Sequence, residues 1–169
     1  GFVFLIESMV NAQNSSFMIH YSNYINGQFV DSPDTNKITV VNPATGEAIS
    51  TIPDSSTEQV ESAIAAAEKA QPAWAALPAV ARAKHLHGLA DKIREQVEPL
   101  ARVITEEQGK TLPLARVEVN FTADYIDYMA EWGRRIEGDV IESDRPKENI
   151  FLFHKPIGVV AGILPWNFP

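Results

Sequence analysis

The chain has 169 residues, of which 45% are hydrophobic and 21% charged, with a formal net charge of -8 and no cysteine. Such a length and composition suit one compact globular domain, while the negative charge argues against a nucleic-acid partner, which requires Lys and Arg clustered against phosphates. The missing cysteines exclude disulfides, thiolate metal sites and thiol nucleophiles from this chain.

The first apolar run, Phe2–Ile6, is too short to cross a bilayer and lacks the basic flank of a secretory signal, so neither a membrane span nor a leader is expected there. The chain begins with Gly; residues 1–23 read as an N-terminal arm in which Met18 is a candidate initiator. Asn26-Gly27 stands between the β-prone pairs Tyr24-Ile25 and Phe29-Val30, a strong short-range hairpin signal. Two further strands, Ile38–Val41 and Ala48–Ile52, flank a turn from Pro43 to Gly46 and complete a β meander.

Helical periodicity follows. Ser55 and Glu58 have capping-box spacing, and Val60, Ala63, Ile64 and Ala67 form one stripe that Pro72 is expected to end. Leu86, Leu89, Ile93 and Val97 share the face of a second helix, bounded at Pro99. A short third helix carries Leu100, Val103 and Ile104 and stops at Gly109, placed for a left-handed C-cap. In the fourth, Pro113 suits the first turn, and Leu114, Val117, Phe121, Tyr125, Tyr128, Trp132 and Ile136 step by three or four until Gly138, about 35 Å of helix. That aromatic face reads either as ordinary core packing or as a wall facing a ligand or another subunit.

After Gly138 the pattern turns to strands: "DVIES", a polar turn "DRPKEN", and Ile150–Phe153 as an exposed or hairpin strand. Ile157–Leu164 is nearly continuous apolar sequence, which is how a strand buried on both faces of a parallel sheet reads. Left without neighbours, it would be an aggregation-prone edge. No internal repeat or low-complexity tract interrupts the chain.

Most chemical motifs fail on spacing. In "GKT", Gly109–Thr111, the first glycine of a phosphate-binding loop is replaced by Ile104 and a helix precedes it, so the segment reads as a cap and turn. Gly158 and Gly162 alone do not make a dinucleotide fingerprint. His85 and His87, two apart, face different sides of a helix and suit surface roles; no metal is expected. Glu106 and Glu107 read as a solvated face, and no serine sits in a nucleophile elbow. What remains is "GILPWNFP", Gly162–Pro169. Pro165 and Pro169 stiffen a loop leaving the C-terminal end of a strand, where open α/β sheets bind ligands. The Asn167 amide there is either a preorganised donor for a developing oxyanion or a group bonded to its own backbone in a tight turn.

Taken with "NPATGE" at Asn42–Glu47, "EEQGK" at Glu106–Lys110 and the long aromatic helix, "GILPWNFP" resembles the NAD(P)-dependent aldehyde dehydrogenase superfamily in motif, order and spacing. The run "FTADYIDYMAEWGRRIEGDVIESDRPKENI" is most similar to bacterial lactaldehyde and glycolaldehyde dehydrogenases. The resemblance covers about Tyr24 to Pro169, well under half of a family member. It implies an α/β fold built as the N-terminal fragment of that family's fold: β meander, four helices, an oligomerisation-type hairpin and the first strand of a Rossmann-like parallel sheet. Residues 24–137 would be the N-terminal part of the NAD-binding domain, 138–156 the oligomerisation strands, and 157–169 the first dinucleotide-domain strand with its oxyanion loop.

The same resemblance implies that Asn167 is the catalytic oxyanion-hole amide. Ile163, Leu164, Pro165 and Trp166 would line the cofactor site, largely through backbone groups, and Phe168 would help wall the aldehyde tunnel. The implied cofactor is NAD, with NADP left open; Val40-Val41 and Glu107 fall where some members hold a monovalent cation. Implied partners are a small aldehyde and further copies of the chain, commonly in a tetramer, in the cytoplasm. The family's chemistry needs a Cys thiolate to attack the aldehyde and a Glu to activate water, both absent from matching positions in this chain. The 169 residues alone are therefore expected to be inactive. The alternative expectation is a non-catalytic binding or assembly module that keeps the first segment of the fold.

Overall fold

A computed structural model of the protein describes residues 18–32, 36–165, 167 and 168. Its strands in chain order are β1 (Ile19–His20), β2 (Asn23–Ile25), β3 (Gln28–Val30), β4 (Lys37–Val41), β5 (Ala48–Pro53), β6 (Asp139–Glu142) and β7 (Asn149–Leu152). Between β5 and β6 lie helices α1 (Thr57–Ala75), α2 (Ala79–Glu95), α3 (Val97–Gln108) and α4 (Leu112–Glu131), followed by one 3-10 turn, Trp132–Arg134. The run Phe2–Ile6 falls outside the described residues.

The two expected strand pairs form, but in separate sheets and not as one meander. Asn26 (φ 51°) and Gly27 (φ 82°) both adopt the left-handed region that a two-residue hairpin turn needs, so β2 and β3 pair with Tyr24 opposite Phe29. β4 pairs antiparallel with β5 through an irregularity at Val40/Val41. Within the stretch read as an arm, β1 adds to β5 in parallel, and the Tyr21 amide extends the ladder to the Thr51 carbonyl at 2.9 Å. The sheet order is β1-β5-β4.

Four helices form, with shifted boundaries. The α1 capping box uses Ser56 and Gln59, one residue later than Ser55 and Glu58: the Gln59 amide donates to Ser56 Oγ at 3.3 Å and the Ser56 amide to Gln59 Oε1 at 3.2 Å. Tertiary partners set that register, because Ser55 Oγ accepts from Asn23 Nδ2 at 2.8 Å and Gln59 Nε2 reaches the Asp31 carbonyl at 3.0 Å. Pro72 does not end the helix. A proline forfeits one donor, but its φ is helical and its carbonyl still accepts from the Ala76 amide at 3.0 Å. Val97 opens α3 instead of continuing α2, and Pro99 sits in the first turn of α3, where its missing N–H costs no intrahelical bond. Gly109 takes the expected left-handed C-cap, φ 75°.

The long aromatic helix ends at Glu131, short of Gly138. Gly138 serves the hairpin instead: a Cβ there would collide with the Leu152 carbonyl, so only glycine lets the two chains pass. The hairpin β6-β7 pairs Val140 with Phe151 and is exposed along both strands.

The core lies where α2 and α3 pack on α4. Its buried residues are Ala90, Ile93, Ala101, Ala115, Val119 and Ala123, flanked by half-buried Leu89, Val97, Leu100, Ile104, Leu112 and Ile126. Four of the six are alanines with no exposed surface, and small side chains let the helix axes approach closely.

The core reading of the aromatic stripe therefore fails within this chain. Phe121 is 64% and Tyr125 55% exposed, while the buried face of α4 runs through Ala115, Val119, Ala123 and Ala130, one position round the helix. Phe121, Tyr125, Tyr128 and Trp132 instead form a continuous ring-to-ring ridge with centroids 6.1 to 6.4 Å apart. α1 likewise buries no residue, leaving Val60 and Ile64 exposed.

The second correction concerns Ile157–Leu164. This segment forms no strand and is exposed, Ile157 by 92% and Ile163 by 95%. A parallel-sheet strand is held by neighbours on both edges and helices on both faces, and the described residues place none beside it. No described helix is long and apolar enough to cross a membrane.

Candidate functional site

Three motifs far apart in sequence meet at Gly109-Lys110. The first is the "NPATGE" turn between β4 and β5, closed by the Gly46 amide on the Asn42 carbonyl at 2.8 Å and the Asn42 amide on the Glu47 carbonyl at 2.9 Å. Asn42 Oδ1 also accepts the Ala44 amide at 2.9 Å, which fixes Pro43 at the tip. The second is the cap of α3. Gly109 presents its bare Cα to Pro43, and a Cβ there would lie 3.2 Å from Pro43 Cγ. The third is the loop after Pro165, where the Lys110 ammonium sits 3.8 Å from the centroid of the Phe168 ring, a cation-π contact.

Lys110 is held from the other side by Glu118 on α4. The carboxylate is 5% exposed, its Oε2 is paired with Lys110 Nζ, and its Oε1 has no hydrogen-bond partner among the described residues. A carboxylate this deep is tolerable only with a cation against it. Sequence reading missed this pair; the available signal was an acidic residue at Glu118 lying between Ala115 and Val119 on the face that proves to be core.

Of the residues singled out beforehand, Asn167 lies in a bend, exposed, and its side-chain amide has no hydrogen-bond partner among the described residues. Phe168 is 68% exposed with φ 52°, a region that bulky side chains rarely occupy. Ile163, Leu164 and Pro165 are exposed, and no backbone hydrogen bond joins residues 157–165 to another described segment. Trp166 falls outside the described residues. The structure thus brings Phe168 to Lys110, while Ile163–Pro165 and the Asn167 amide make no hydrogen bond to another described segment. The open backbone groups of Ile163 and Leu164 are those that a cofactor bound mainly through the main chain would use.

Nearby, burial first, and then the carboxylates of Glu106 and Glu107, push the Tyr21 phenol above its ordinary value. No group of three or more His, Asp or Glu side chains among the described residues could hold a metal ion. His85 and His87 do face different sides: His85 lies 5.4 Å from the Trp74 ring on α1, and His87 Nδ1 is 2.6 Å from Asp127 Oδ1 on α4. Arg94 joins that second group, with Asp127 Oδ2 at 2.6 Å and Asp124 Oδ1 at 2.8 Å.

Residues 29–169 match the model of the aldehyde dehydrogenase family. The chain is 55% identical over 154 residues to the lactaldehyde dehydrogenase of Escherichia coli, covering 91% of this chain and 32% of that protein. The crystal structure of the same enzyme superposes with a TM-score of 0.88 over 90% of this chain and 32% of that one. Glutarate-semialdehyde dehydrogenase of Pseudomonas putida is 44% identical over 146 residues, 86% of this chain and 30% of that protein. A variant of betaine aldehyde dehydrogenase from Staphylococcus aureus, crystallised with NAD+, is 32% identical with a TM-score of 0.85, covering 99% and 32% of the two chains. The chain spans about a third of the length of these relatives.

Proposed function

Since the chain belongs to the aldehyde dehydrogenase family, we propose that it acts as the N-terminal portion of an NAD(P)-dependent aldehyde dehydrogenase that oxidises a small hydroxyaldehyde, lactaldehyde or glycolaldehyde, to its acid. The observation that carries this reading is that the "NPATGE" turn meets "EEQGK" at Gly109, through Pro43, while Phe168 meets it at Lys110. The identity to a lactaldehyde dehydrogenase supports the choice of substrate.

In this reading Asn167 is the catalytic residue that this chain contributes. Attack of a thiolate on an aldehyde carbonyl places negative charge on the carbonyl oxygen, and the Asn167 amide N–H donates to that oxygen as the charge develops. A donor with no competing partner among the described residues, on a loop stiffened by Pro165, needs little reorganisation at that moment. Phe168 walls the aldehyde path and excludes water. Ile163, Leu164, Pro165 and Trp166 bind the cofactor, chiefly by backbone groups; when bound, the nicotinamide accepts the substrate's hydride. The cofactor in this reading is NAD, as in the Staphylococcus aureus relative's complex, with NADP, used by the Escherichia coli succinate-semialdehyde dehydrogenase relative, as the alternative. Residues 24–137 belong to the NAD-binding domain, and the exposed hairpin in 138–156 joins copies of the chain into a homo-oligomer, a tetramer, in the cytoplasm.

A chimera tests this reading. Residues 24–169 grafted onto the remaining two thirds of the Escherichia coli lactaldehyde dehydrogenase should form NADH from lactaldehyde or glycolaldehyde, and the 169-residue chain alone should not. Asn167→Ala in the chimera should lower kcat by roughly 10²–10³. A folded chimera without activity would favour the non-catalytic binding module, and activity of the isolated chain would overturn the reading of it as a portion.

A further inference from the structure

We propose that Lys110 is a positioning residue for the oxyanion loop, locked in place by Glu118. The inference rests on the reading of Asn167 as the oxyanion donor. It starts from Phe168, whose backbone sits at φ 52°. A large side chain pays for that conformation, and it persists only where something outside the loop holds it. The contact that the described residues supply is the Lys110 ammonium, 3.8 Å from the ring centroid.

Lys110 is not a free surface cation that happens to lie nearby. Its ammonium meets the Glu118 carboxylate, itself 5% exposed and rooted on α4 beside Ala115 and Val119 of the core. Because Glu118 Oε1 has no partner among the described residues and Oε2 pairs with Lys110, the carboxylate depends on Lys110 for compensation, and Lys110 cannot swing away without leaving a buried charge unpaired. The ammonium is therefore fixed between a rigid helix and the ring. Phe168 follows Asn167 directly, so anchoring the ring sets the peptide that aims the amide. Lys110 acts through Phe168 on Asn167 and need not touch substrate.

The experiment compares Lys110→Met, Lys110→Arg, Asn167→Ala and the Lys110→Met/Asn167→Ala pair in the full-length enzyme or in the chimera. Lys110→Met should lower kcat roughly three- to tenfold, the scale of one lost cation-π contact, with the KM values for aldehyde and NAD within about twofold. Lys110→Arg, which keeps the charge over the ring, should recover most of the rate. On an Asn167→Ala background, Lys110→Met should change kcat by less than about twofold, because the two act as one unit. Lys110→Met/Glu118→Gln removes the stray buried carboxylate; a normal melting midpoint with the rate still low supports the proposal. Recovery of the rate in that pair would overturn it, since the loss would then come from the unpaired Glu118. Wild-type kcat in Lys110→Met beside an impaired Asn167→Ala overturns the positioning role alone, and a normal Asn167→Ala overturns the oxyanion reading together with it.

Discussion

Gly109 and Pro43 approach so closely that one methyl group between them would lie 3.2 Å from the proline ring, and Gly109 does this at φ 75°. The contact ties the cap of α3 to the turn between β4 and β5 and so fixes where Lys110 emerges. Gly46 provides the comparison, with φ 76° and open space around it. Gly46→Ala should cost about 1–2 kcal/mol from left-handed backbone alone. Gly109→Ala should cost more, because Pro43 must also give way. Urea midpoints check this, and equal losses at the two sites would mean that the Pro43 contact adds nothing.

The packed side of α4, against Ile93 of α2, and its exposed side should respond differently to truncation. In the 169-residue chain, Ile93→Ala opens a cavity in the core against α4 and should cost roughly 2–5 kcal/mol, whereas Val117→Ala on the exposed face should change stability by less than about 0.5 kcal/mol. The same exposed ridge, with the uncovered Ile157–Leu164 segment, should make that chain bind a hydrophobic dye and associate. Sedimentation velocity on Phe121→Ser/Tyr125→Ser should show less association at an unchanged melting midpoint. A monodisperse wild-type monomer that binds no dye would refute the assignment of the ridge as a surface that needs a cover.

His87, and then Arg94, hold the Asp127 carboxyl below the usual carboxylate range. A folded-state value below the unfolded one stabilises the native form. That contribution is complete above the unfolded value near pH 4 and disappears as pH falls through the folded value beneath it. Asp127→Asn should therefore be less stable than wild type at pH 7 and pH 5, by under about 1 kcal/mol for so accessible a pair, and the gap should close towards pH 2. A gap of constant size across that range would show that Asp127 acts by packing and not by charge.

Local chemistry was readable without coordinates. Asn26-Gly27 dictated a hairpin because two consecutive left-handed residues are cheap there, and Gly109 dictated a cap for the same reason. Cap register was not readable: "SSTEQ" offers two boxes, and only Asn23 and Asp31, brought over by folding, choose Ser56. Pro165 and Asn167 marked the loop proposed to carry the oxyanion donor, but the sequence did not join Lys110 and Glu118 to it, because a pair eight residues apart meets only when α4 turns back past the end of α3.

By itself, then, the sequence determined the four helices, the hairpins and their order, the turns where only glycine or asparagine is comfortable, and the kinship of three short motifs to one enzyme family. Tertiary structure decided which face of each helix is core. Hydrophobic periodicity marks every apolar stripe on α4 alike, and it is the close approach of α2 and α3 over alanines that buries Ala115 and Ala123 and leaves Phe121 and Tyr125 outside. It also decided the fate of Ile157–Leu164, since strand propensity is a local property but a strand exists only where another backbone pairs with it.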